Sequence, residues 1–556
     1  MDNSENTPKT PIGSEPKIAA PETQAEACGI STAQAGRQIA RAAGIVMIAY
    51  FLSTMVGIVR GMVVSNAFGT SVSLDSFNAA NRVTELLFNL TAGGALGSAF
   101  IPMFTGFLTR KDQKGAWRLA SGVVNSVLIV LIVVSTLMWI FAPFLVESGL
   151  FAMVPDSSAA QVAETARLLR IMLPTVIIFG ISGLVMGMLN AHQVFLWPAL
   201  APAAYSLGII LGVWLLPASW GIDRLAIGTV MGATGHLLLQ LPALFRLPAR
   251  GYELSAGFRD GPVRKVLRLM LPRIFGAGIV QLNFVANTII SLSLGAGSVS
   301  ALTWAFTLML MPQAAIAQSA GIASLPTLSA QVELGKFADF RQTLSSIVRV
   351  MLLLALPATI GLVFLRVPLV RVLYERGSFD ATSTQMVAWA LLWYALGLTG
   401  HSLVEVLSRA FYAMHDTKTP VFVGVAAMTG NILLSFFFSG LFSHIGWLPL
   451  GGLALANTTA TAVECLVLFA IMRRRLQGVG GKQILRTGLL ALAASAVMGL
   501  VLVGWMAIFG GLSKFLVLGV GVILGVLTYG VMLKLLKVPE LDSILLRIKS
   551  KLAEKG

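Results

Sequence analysis

The sequence predicts an all-α polytopic membrane protein with about fourteen transmembrane helices. Three observations carry this prediction. Of 556 residues, 56% are hydrophobic and only 12% are charged, and the mean hydropathy is +0.83. A soluble domain carries roughly 25% charged residues. The apolar residues also come in runs of about 20, the length that a helix needs to cross a bilayer. Finally, cations collect in alternate breaks between these runs.

A polar N-terminal segment precedes the first span. Residues 1–38 are rich in Pro, Ser, Thr, Glu and Lys and lack apolar periodicity, so we expect a disordered cytoplasmic tail.

Fourteen spans are predicted after this tail, and the second of them is interrupted by three charged residues. The predicted spans start near Ala43, Leu74, Leu119, Arg167, Ala199, Leu225, Val263, Val299, Leu344, Thr384, Val421, Leu450, Ile484 and Lys514.

The cations favour one side of the membrane. Groups of Lys and Arg follow the second, sixth, twelfth and fourteenth runs, whereas most odd-numbered breaks are poor in cations or acidic. Because cytoplasmic loops are enriched in Lys and Arg, we expect both termini in the cytoplasm of a bacterial inner membrane protein. The break after the ninth run, with Arg366, Arg371 and Arg376, departs from this pattern. The net charge of +16 then indicates a bias toward the cytoplasmic leaflet. Nucleic-acid binding is excluded, since no basic face has interleaved aromatic residues.

Two pairs of segments repeat at nearly one offset. Residues 95–102 resemble 319–326, and residues 186–198 resemble 408–420, so the offsets are 224 (326 − 102) and 222 (420 − 198). A duplicated half of six spans, arranged as parallel repeats, explains both matches. Chance similarity between apolar helices is the alternative. We predict an N-lobe at 39–250, a C-lobe at 251–478, and a helix pair with a basic tail at 479–556.

Charged residues inside the predicted spans are the candidate functional residues. A cation at the bilayer centre costs about 3 kcal/mol and usually faces a cavity or a partner. Arg60 lies deep in the first span without a local carboxylate, so we interpret it as functional. Arg273 follows Pro272 near the start of the seventh span. It either faces a cavity or extends to the interface.

Three glutamates accompany these cations in the spans. Arg82 with Glu85, and Glu405 with Arg409, are spaced to share one helical face. Each pair either lines a cavity for an anionic head group or is a self-compensated structural pair. Glu464 lies in the twelfth span, and we group it with Glu85, Glu405 and Arg409 as structural or coupling charges.

Enzyme chemistry has no sequence support. The chain lacks a phosphate-binding loop, a metal-binding histidine pair and a nucleophile elbow, so we predict no catalytic residue, no metal and no cofactor. His401 lies near Glu405 in sequence. It either joins a proton relay or is a structural histidine.

Several short motifs then point to one family. They are Gly57 with Arg60, Asp75-Ser76-Phe77 with Arg82, Ala99-Phe100-Ile101-Pro102, Glu375-Arg376-Gly377-Ser378-Phe379, and Asp416-Thr417-Lys418-Thr419-Pro420. On these motifs the chain, from about residue 40 to its C-terminus, resembles the MurJ/MviN lipid II flippases of the MOP transporter superfamily.

The resemblance implies a fold and a mechanism. It implies two six-helix lobes, an extra C-terminal helix pair and alternating access. The pyrophosphate and sugar-peptide head group would enter a cationic central cavity, while the polyprenyl tail stays in lipid beside the last two helices. Membrane potential or an ion gradient (H⁺ or Na⁺), rather than ATP, would drive transport. Arg60, Arg82, Asp75 and Arg273 are then the expected substrate-binding residues, with Asp75 also a gate contact.

The sequence departs from the family pattern at several cavity positions. The first of two arginines in the opening helix is replaced by Thr54. A pair of arginines late in the second helix is replaced by Phe88 and Asn89, and an Asp-Arg pair in the eighth by Phe306 and Thr307. These losses leave fewer planar donor groups for a phosphate.

We therefore carry several hypotheses. The first is a monomeric lipid II flippase that binds a lipid-linked anion, contacts membrane lipids and uses a coupling ion. The second is a flippase for another lipid-linked glycan, or a multidrug-type antiporter, which the missing arginines favour. The third is a non-transporting membrane scaffold or a membrane-embedded transferase.

Overall fold

The computed structural model describes residues 32–91, 94–154, 158–248, 251–253, 257, 260–538 and 540. Within these residues every regular element is a helix. The first half of the chain forms α1 (Thr32–Phe68), α2 (Val72–Thr91), α3 (Gly94–Thr109), α4 (Gln113–Ile140), α5 (Ala159–Ala191), α6 (Leu196–Leu215) and α7 (Asp223–Leu238). Two short helices, Ala142–Leu145 and Leu241–Phe245, extend the ends of α4 and α7.

The second half forms a similar series followed by two more helices. The series is α8 (Gly261–Ser293), α9 (Ser298–Gln313), α10 (Ser319–Glu333), α11 (Phe337–Leu373), α12 (Ala381–Ala413), α13 (Lys418–His444) and α14 (Leu450–Arg475). The final pair is α15 (Gly481–Phe509) and α16 (Lys514–Leu535). We refer to α1–α7 as the N-lobe and to α8–α14 as the C-lobe.

The helices have the length and composition of membrane spans. Twelve helical segments of the described chain are long and apolar enough to cross a bilayer, and two shorter apolar segments are Ala99–Thr109 and Val280–Ser293. The shorter segments lie in α3 and α8, which occupy the second and seventh predicted spans. The predicted all-helical polytopic fold is confirmed.

Helix bounds recur along the chain at the offset seen in the sequence. Helices α5 and α12 each have 33 residues, and their starts differ by 222 (381 − 159). Helices α6 and α13 also start 222 residues apart (418 − 196). The second and eighth spans are both interrupted. The second divides into α2 and α3, and a π-helical turn, Ala314–Gln318, separates α9 from α10. Pro102 and Pro326 lie inside the second member of each pair, where proline removes a helix hydrogen bond.

Small residues allow a close helix crossing in the N-lobe. A Cβ added to Gly208 of α6 would lie 2.3 Å from the backbone of Gly232 in α7, and one added to Gly212 would lie 2.3 Å from Gly228. Without side chains, two backbones can approach closely enough for dense van der Waals packing, which drives helix association inside a membrane.

The C-terminal helix pair is fastened to α11. Arg349 of α11 forms an ion pair with Glu540 at 2.6 Å, and only 21% and 9% of the two side chains are exposed. The Tyr529 hydroxyl of α16 donates to the Leu353 carbonyl at 2.7 Å. Helices α15 and α16 are therefore held against one C-lobe helix.

The ends of the chain differ in part from expectation. Helix α1 begins at Thr32, so helical structure starts before the predicted tail boundary at residue 38. The rest of the predicted tail, residues 1–31, and the basic residues 541–556 lie outside the described chain.

Candidate functional site

Asp75 joins the two lobes. Its Oδ2 accepts a hydrogen bond from the Gly297 amide at 2.6 Å, and its Oδ1 accepts from the Ser300 amide at 2.7 Å and the Ser300 hydroxyl at 2.6 Å. The carboxylate of α2 thus binds the N-terminus of α9, where unpaired amides and the helix dipole favour an anion. Only 2% of Asp75 is exposed.

This contact joins residues of the two lobes that are one repeat length apart in sequence. Asp75 and Gly297 are 222 residues apart, and so are Asn78 and Ser300, whose side chains hydrogen bond at 3.1 Å. The offset equals that of the second pair of repeated segments and of the matching helix starts. Equivalent positions of the two lobes therefore meet at this point, as a pseudo-two-fold relation between parallel repeats requires.

Further contacts close the same end of the molecule. The Thr70 and Ser383 hydroxyls are 2.8 Å apart, and the Ser378 amide donates to the Asn66 carbonyl at 2.9 Å. A Cβ on Gly69 would lie 2.2 Å from the Ser378 carbonyl oxygen, so the two loops pack backbone to backbone. We name these contacts, together with Asp75, Gly297 and Ser300, the interlobe clasp.

Arg60 lies deeper than the clasp and forms no ion pair within the described residues. It is half-buried within the span Met47–Phe68, and no carboxylate of the described chain lies within 4 Å of its guanidinium. The guanidinium carbon lies 5.8 Å from the ring centroid of Tyr205 in α6. It also lies near Tyr374, at the end of α11, whose ring lies beside the neighbouring Gly61. Arg60 therefore faces residues of both lobes.

Arg82 and Glu85 form the predicted pair on one face of α2. Arg82 Nη1 lies 2.7 Å from Glu85 Oε2, with 26% and 43% of the side chains exposed. The Arg82 guanidinium carbon also lies 5.2 Å from the ring centroid of Phe284 in α8. Its Nε is buried and has no hydrogen-bond partner in the described chain. One donor of the guanidinium is therefore free.

The structure brings Arg60, Arg82 and Glu85 to one place. Arg60 and Glu85 both lie near Tyr205, and Arg82 lies near Tyr394 of α12. We name Arg60, Arg82, Glu85, Tyr205 and the facing ring of Phe284 the interlobe site.

Aromatic residues of the C-lobe form the wall opposite Arg82. The ring centroids of Phe284 and Tyr394 lie 6.3 and 5.2 Å from that of Phe306. His401 lies 6.3 Å from the same ring, and its Nε2 contacts the Asn457 amide oxygen at 3.0 Å. The departure at Phe306 thus replaces a charged position with the centre of an aromatic cluster.

Three of the remaining departures, Thr54, Thr307 and Phe88, have local partners. The Thr54 hydroxyl donates to the Tyr50 carbonyl at 3.0 Å, and the Thr307 hydroxyl donates to the Thr303 carbonyl at 2.8 Å. Phe88 packs on Phe179 at a centroid distance of 5.2 Å. Both hydroxyls close bonds within their own helix, so these positions add no cation to the interlobe site.

The other candidate residues lie elsewhere. Glu405 and Arg409 pair at 2.5 Å on α12, with 31% and 20% exposure. Glu464 of α14 has no ion pair or hydrogen bond in the described chain, and it lines an apolar cavity of about 320 Å³ between α13 and α14. Arg273 lies in α8, but its side chain is outside the described part of the structure.

Sequence reasoning missed an amide network between α8 and α13. The Asn287 side chain donates to Asn431 Oδ1 at 2.9 Å, and Asn283 donates to the same oxygen at 3.2 Å. The Ser435 hydroxyl donates to Asn287 at 3.2 Å. The available signal was two polar pairs spaced four apart in apolar helices, which lie on one face and seek a partner in lipid.

The Asp416 motif organises a loop outside the spans. Asp416 accepts from the Thr419 hydroxyl at 2.6 Å and the Thr419 amide at 3.0 Å, and it pairs with Arg475 at 2.6 Å. The hydrogen bonds from Thr419, followed by the Arg475 guanidinium, lower the pKa of the Asp416 carboxyl to about 2. Arg475 also lies 5.4 Å from the Phe411 ring centroid. The loop thus links the ends of α12, α13 and α14.

Comparison with known proteins gives consistent matches. A family model described as lipid II flippase MurJ matches residues 64–522. The lipid II flippase MurJ of Burkholderia cenocepacia is 32% identical over 432 residues, covering 76% of this chain and 82% of that protein. The probable lipid II flippase MurJ of Vibrio cholerae is 28% identical over 460 residues, covering 82% and 86%.

Solved structures share the fold. A lipid II flippase MurJ in an inward closed conformation superposes with a TM-score of 0.75 at 24% identity, covering 88% of this chain and 98% of that one. An inward-facing MATE multidrug resistance transporter of the MOP superfamily gives 0.64 at 16% identity, covering 78% and 98%.

Proposed function

The chain belongs to the MurJ lipid II flippase family, and we propose that it moves lipid II across the membrane by alternating access at the interlobe site. It is a multi-pass membrane transporter and not an enzyme. We further propose that both termini lie in the cytoplasm, as the distribution of Lys and Arg indicates.

The observation that carries this proposal is the unpaired guanidinium of Arg60. A cation held at this depth costs about 3 kcal/mol on insertion scales unless an anion or water compensates it. No carboxylate of the described chain lies within 4 Å of it, and two tyrosines lie nearby. A planar guanidinium can bind phosphate oxygens through two parallel hydrogen bonds. The pyrophosphate of lipid II supplies the missing anion.

Arg82 adds a second, partly compensated cation. Glu85 orients its guanidinium, and the Nε donor has no partner in the described chain. The partial exposure of both side chains supports a cleft between the lobes that an anionic head group can reach. We propose that the phosphates contact Arg60 and Arg82 while the polyprenyl chain stays in lipid.

The interlobe clasp is the contact that has to open and close during alternating access. With Asp75 bound to Gly297 and Ser300, the lobes are closed at the end where α1 meets α2. By the positive-inside rule we place this end on the outer side of the membrane. Head-group entry then occurs from the opposite side, and release requires the Asp75 contacts to break. We further propose that an H⁺ or Na⁺ gradient drives the cycle, which imposed gradients in liposomes would test.

Lipid II translocation in proteoliposomes tests the role of Arg60. Arg60→Ala removes two charge-assisted hydrogen bonds, so we expect the translocation rate to fall about 100-fold. Arg60→Lys keeps the charge without the planar fork and should lose about tenfold. The matched control is Arg473→Ala, which removes an exposed cation at the end of α14. Full activity of correctly folded Arg60→Ala protein would contradict the proposal.

One observation favours a second candidate function. The aromatic wall of Phe284, Phe306 and Tyr394 resembles a surface for organic cations, which bind to ring faces. A multidrug-type antiporter would use it. Efflux of lipophilic cations from cells expressing the protein, unchanged by Arg60→Ala, would support that function. Arg60 and Arg82 repel such cations, so we expect no efflux.

A further inference from the structure

A second cavity lies away from the interlobe site, between α4 and α8. Its volume is about 620 Å³. The walls are mostly apolar and belong to two helices that run side by side. The lining residues from α4 are Ser126, Val127, Val130 and Leu131, and those from α8 include Leu267, Met270, Leu271 and Ile274.

Two arginines stand at one end of this cavity. Arg264 and Arg268 line it, are exposed, and are four residues apart, so they share one face of α8. Neither forms an ion pair or a side-chain hydrogen bond within the described residues. The apolar residues follow on the same face at Leu271 and Ile274, so the cavity is cationic at one end and apolar along its length.

The cationic end lies at the boundary of the membrane. Helix α8 has 33 residues, which gives a length of about 50 Å at 1.5 Å per residue. A hydrocarbon core is only about 30 Å thick. Because the apolar segment Val280–Ser293 forms the other end of α8, we place its first turns, with Arg264 and Arg268, at head-group level. From Arg264 to Ile274 the helix advances about 15 Å toward the bilayer centre.

We propose that this cavity binds an anionic glycerophospholipid. The head-group phosphate contacts Arg264 and Arg268, and an acyl chain lies along Leu267, Leu271 and Val130. Charge complementarity selects the anionic head group, because basic pockets between helices recognise such lipids. The apolar walls require a chain, so free phosphate does not satisfy the site. The interlobe site, where Arg60 lies, is separate from it.

Because of the position of α8, a bound lipid should affect the arrangement of the two lobes. Near its start α8 packs on α4, since a Cβ on Gly122 would lie 2.7 Å from Val263. Farther along, Asn283 and Asn287 bond to α13 of the C-lobe. A lipid between α4 and α8 therefore touches a C-lobe helix that also packs on the N-lobe. Its occupancy should stabilise one arrangement of the lobes.

Native mass spectrometry of the full chain with phosphatidylglycerol tests the proposal, with phosphatidylcholine of the same acyl chains as the neutral probe. Each cation near an anionic lipid contributes roughly fivefold in affinity. Arg264→Gln with Arg268→Gln should therefore weaken phosphatidylglycerol binding about 30-fold and leave phosphatidylcholine binding unchanged. Arg473→Gln with Arg474→Gln removes the same charge from the exposed end of α14 and should change neither.

A second variant keeps the charges and fills the cavity. Val130→Trp should block phosphatidylglycerol binding with Arg264 and Arg268 intact, and its folding is checked by an unchanged unfolding temperature in detergent. Equal binding of the two phospholipids, or equal loss in the Arg473 and Arg474 control, overturns the proposal. Competition by lipid II for this site would overturn it as well, because the cavity would then belong to the substrate.

Discussion

Replacement of Asp75 by Asn should open the interlobe clasp. In the structure both carboxylate oxygens accept from the C-lobe, Oδ2 from the Gly297 amide and Oδ1 from two donors of Ser300. An asparagine has one acceptor oxygen. If that oxygen keeps the Ser300 bonds, the amide NH₂ group faces the Gly297 N–H, and two donors oppose each other in a buried place.

The magnitude follows from the lost hydrogen bonds. A hydrogen bond to a charged group contributes about 1.5–3 kcal/mol, and the Gly297 amide is left unsatisfied. The closed arrangement should therefore lose roughly 2–3 kcal/mol relative to the arrangement with separated lobes. That difference shifts the equilibrium by about 30- to 150-fold. Ser300→Ala removes one of the three bonds and should shift it less.

Disulfide trapping measures this equilibrium. The Thr70 and Ser383 hydroxyls are 2.8 Å apart across the clasp, close enough for a Thr70→Cys and Ser383→Cys pair to join. The natural thiols Cys28 and Cys465 are first replaced by Ser. Cross-linking should be nearly complete in this background and should fall strongly once Asp75→Asn is added.

A control substitution distinguishes loss of the clasp from general destabilisation of the protein. Asp112 caps α4 by accepting from the Gly115 amide at 2.8 Å, entirely within one lobe. Asp112→Asn makes the same chemical change and should leave the cross-linking yield unaltered. If Asp75→Asn protein, folded and present at normal level, cross-links as fast as its parent, the Asp75 bonds do not hold the lobes together.

Three further predictions concern stability. Because hydrogen bonds from Thr419 lower the pKa of Asp416 from 3.8 to about 2, its stabilisation is present above about pH 4 and is lost as the pH falls toward 2. The unfolding temperatures of the parent and of Asp416→Asn should differ at pH 6 and converge over that window; a constant difference contradicts this. Arg349→Ala removes the ion pair at 2.6 Å with Glu540 and should destabilise the protein by about 1.5–3 kcal/mol, measured by thermal unfolding. Gly208→Val forces side-chain atoms into the facing backbone of α7 and should lower the free energy of unfolding by about 1–3 kcal/mol. The monodisperse peak in size-exclusion chromatography should then be lost.

Local features of the site were predictable from spacing. Arg82 with Glu85 and Glu405 with Arg409 were expected to share a helical face, and both form ion pairs. The reason is the helical period of 3.6 residues, which places residues three or four apart side by side whatever the surroundings. The absence of a local carboxylate near Arg60 was also visible in the sequence.

Contacts between distant segments could not be predicted from residue spacing. Nothing near Asp75 in sequence identifies Gly297 and Ser300 as its partners, since backbone amides carry no residue-specific signal. Glu464 illustrates the same limit. Its spacing suggested nothing about the apolar cavity between α13 and α14, which exists only once the two helices pack.

The sequence by itself determined the helical membrane architecture, the recurring halves and the family, because hydrophobic length, charge distribution and short motifs are properties of consecutive residues. Tertiary structure alone decided which charges are compensated, where the lobes touch and which faces enclose a cavity. The physical reason is that a buried charge in a membrane is stabilised by whatever polar group the fold places within a few ångströms. In this protein those groups lie as many as 225 residues away.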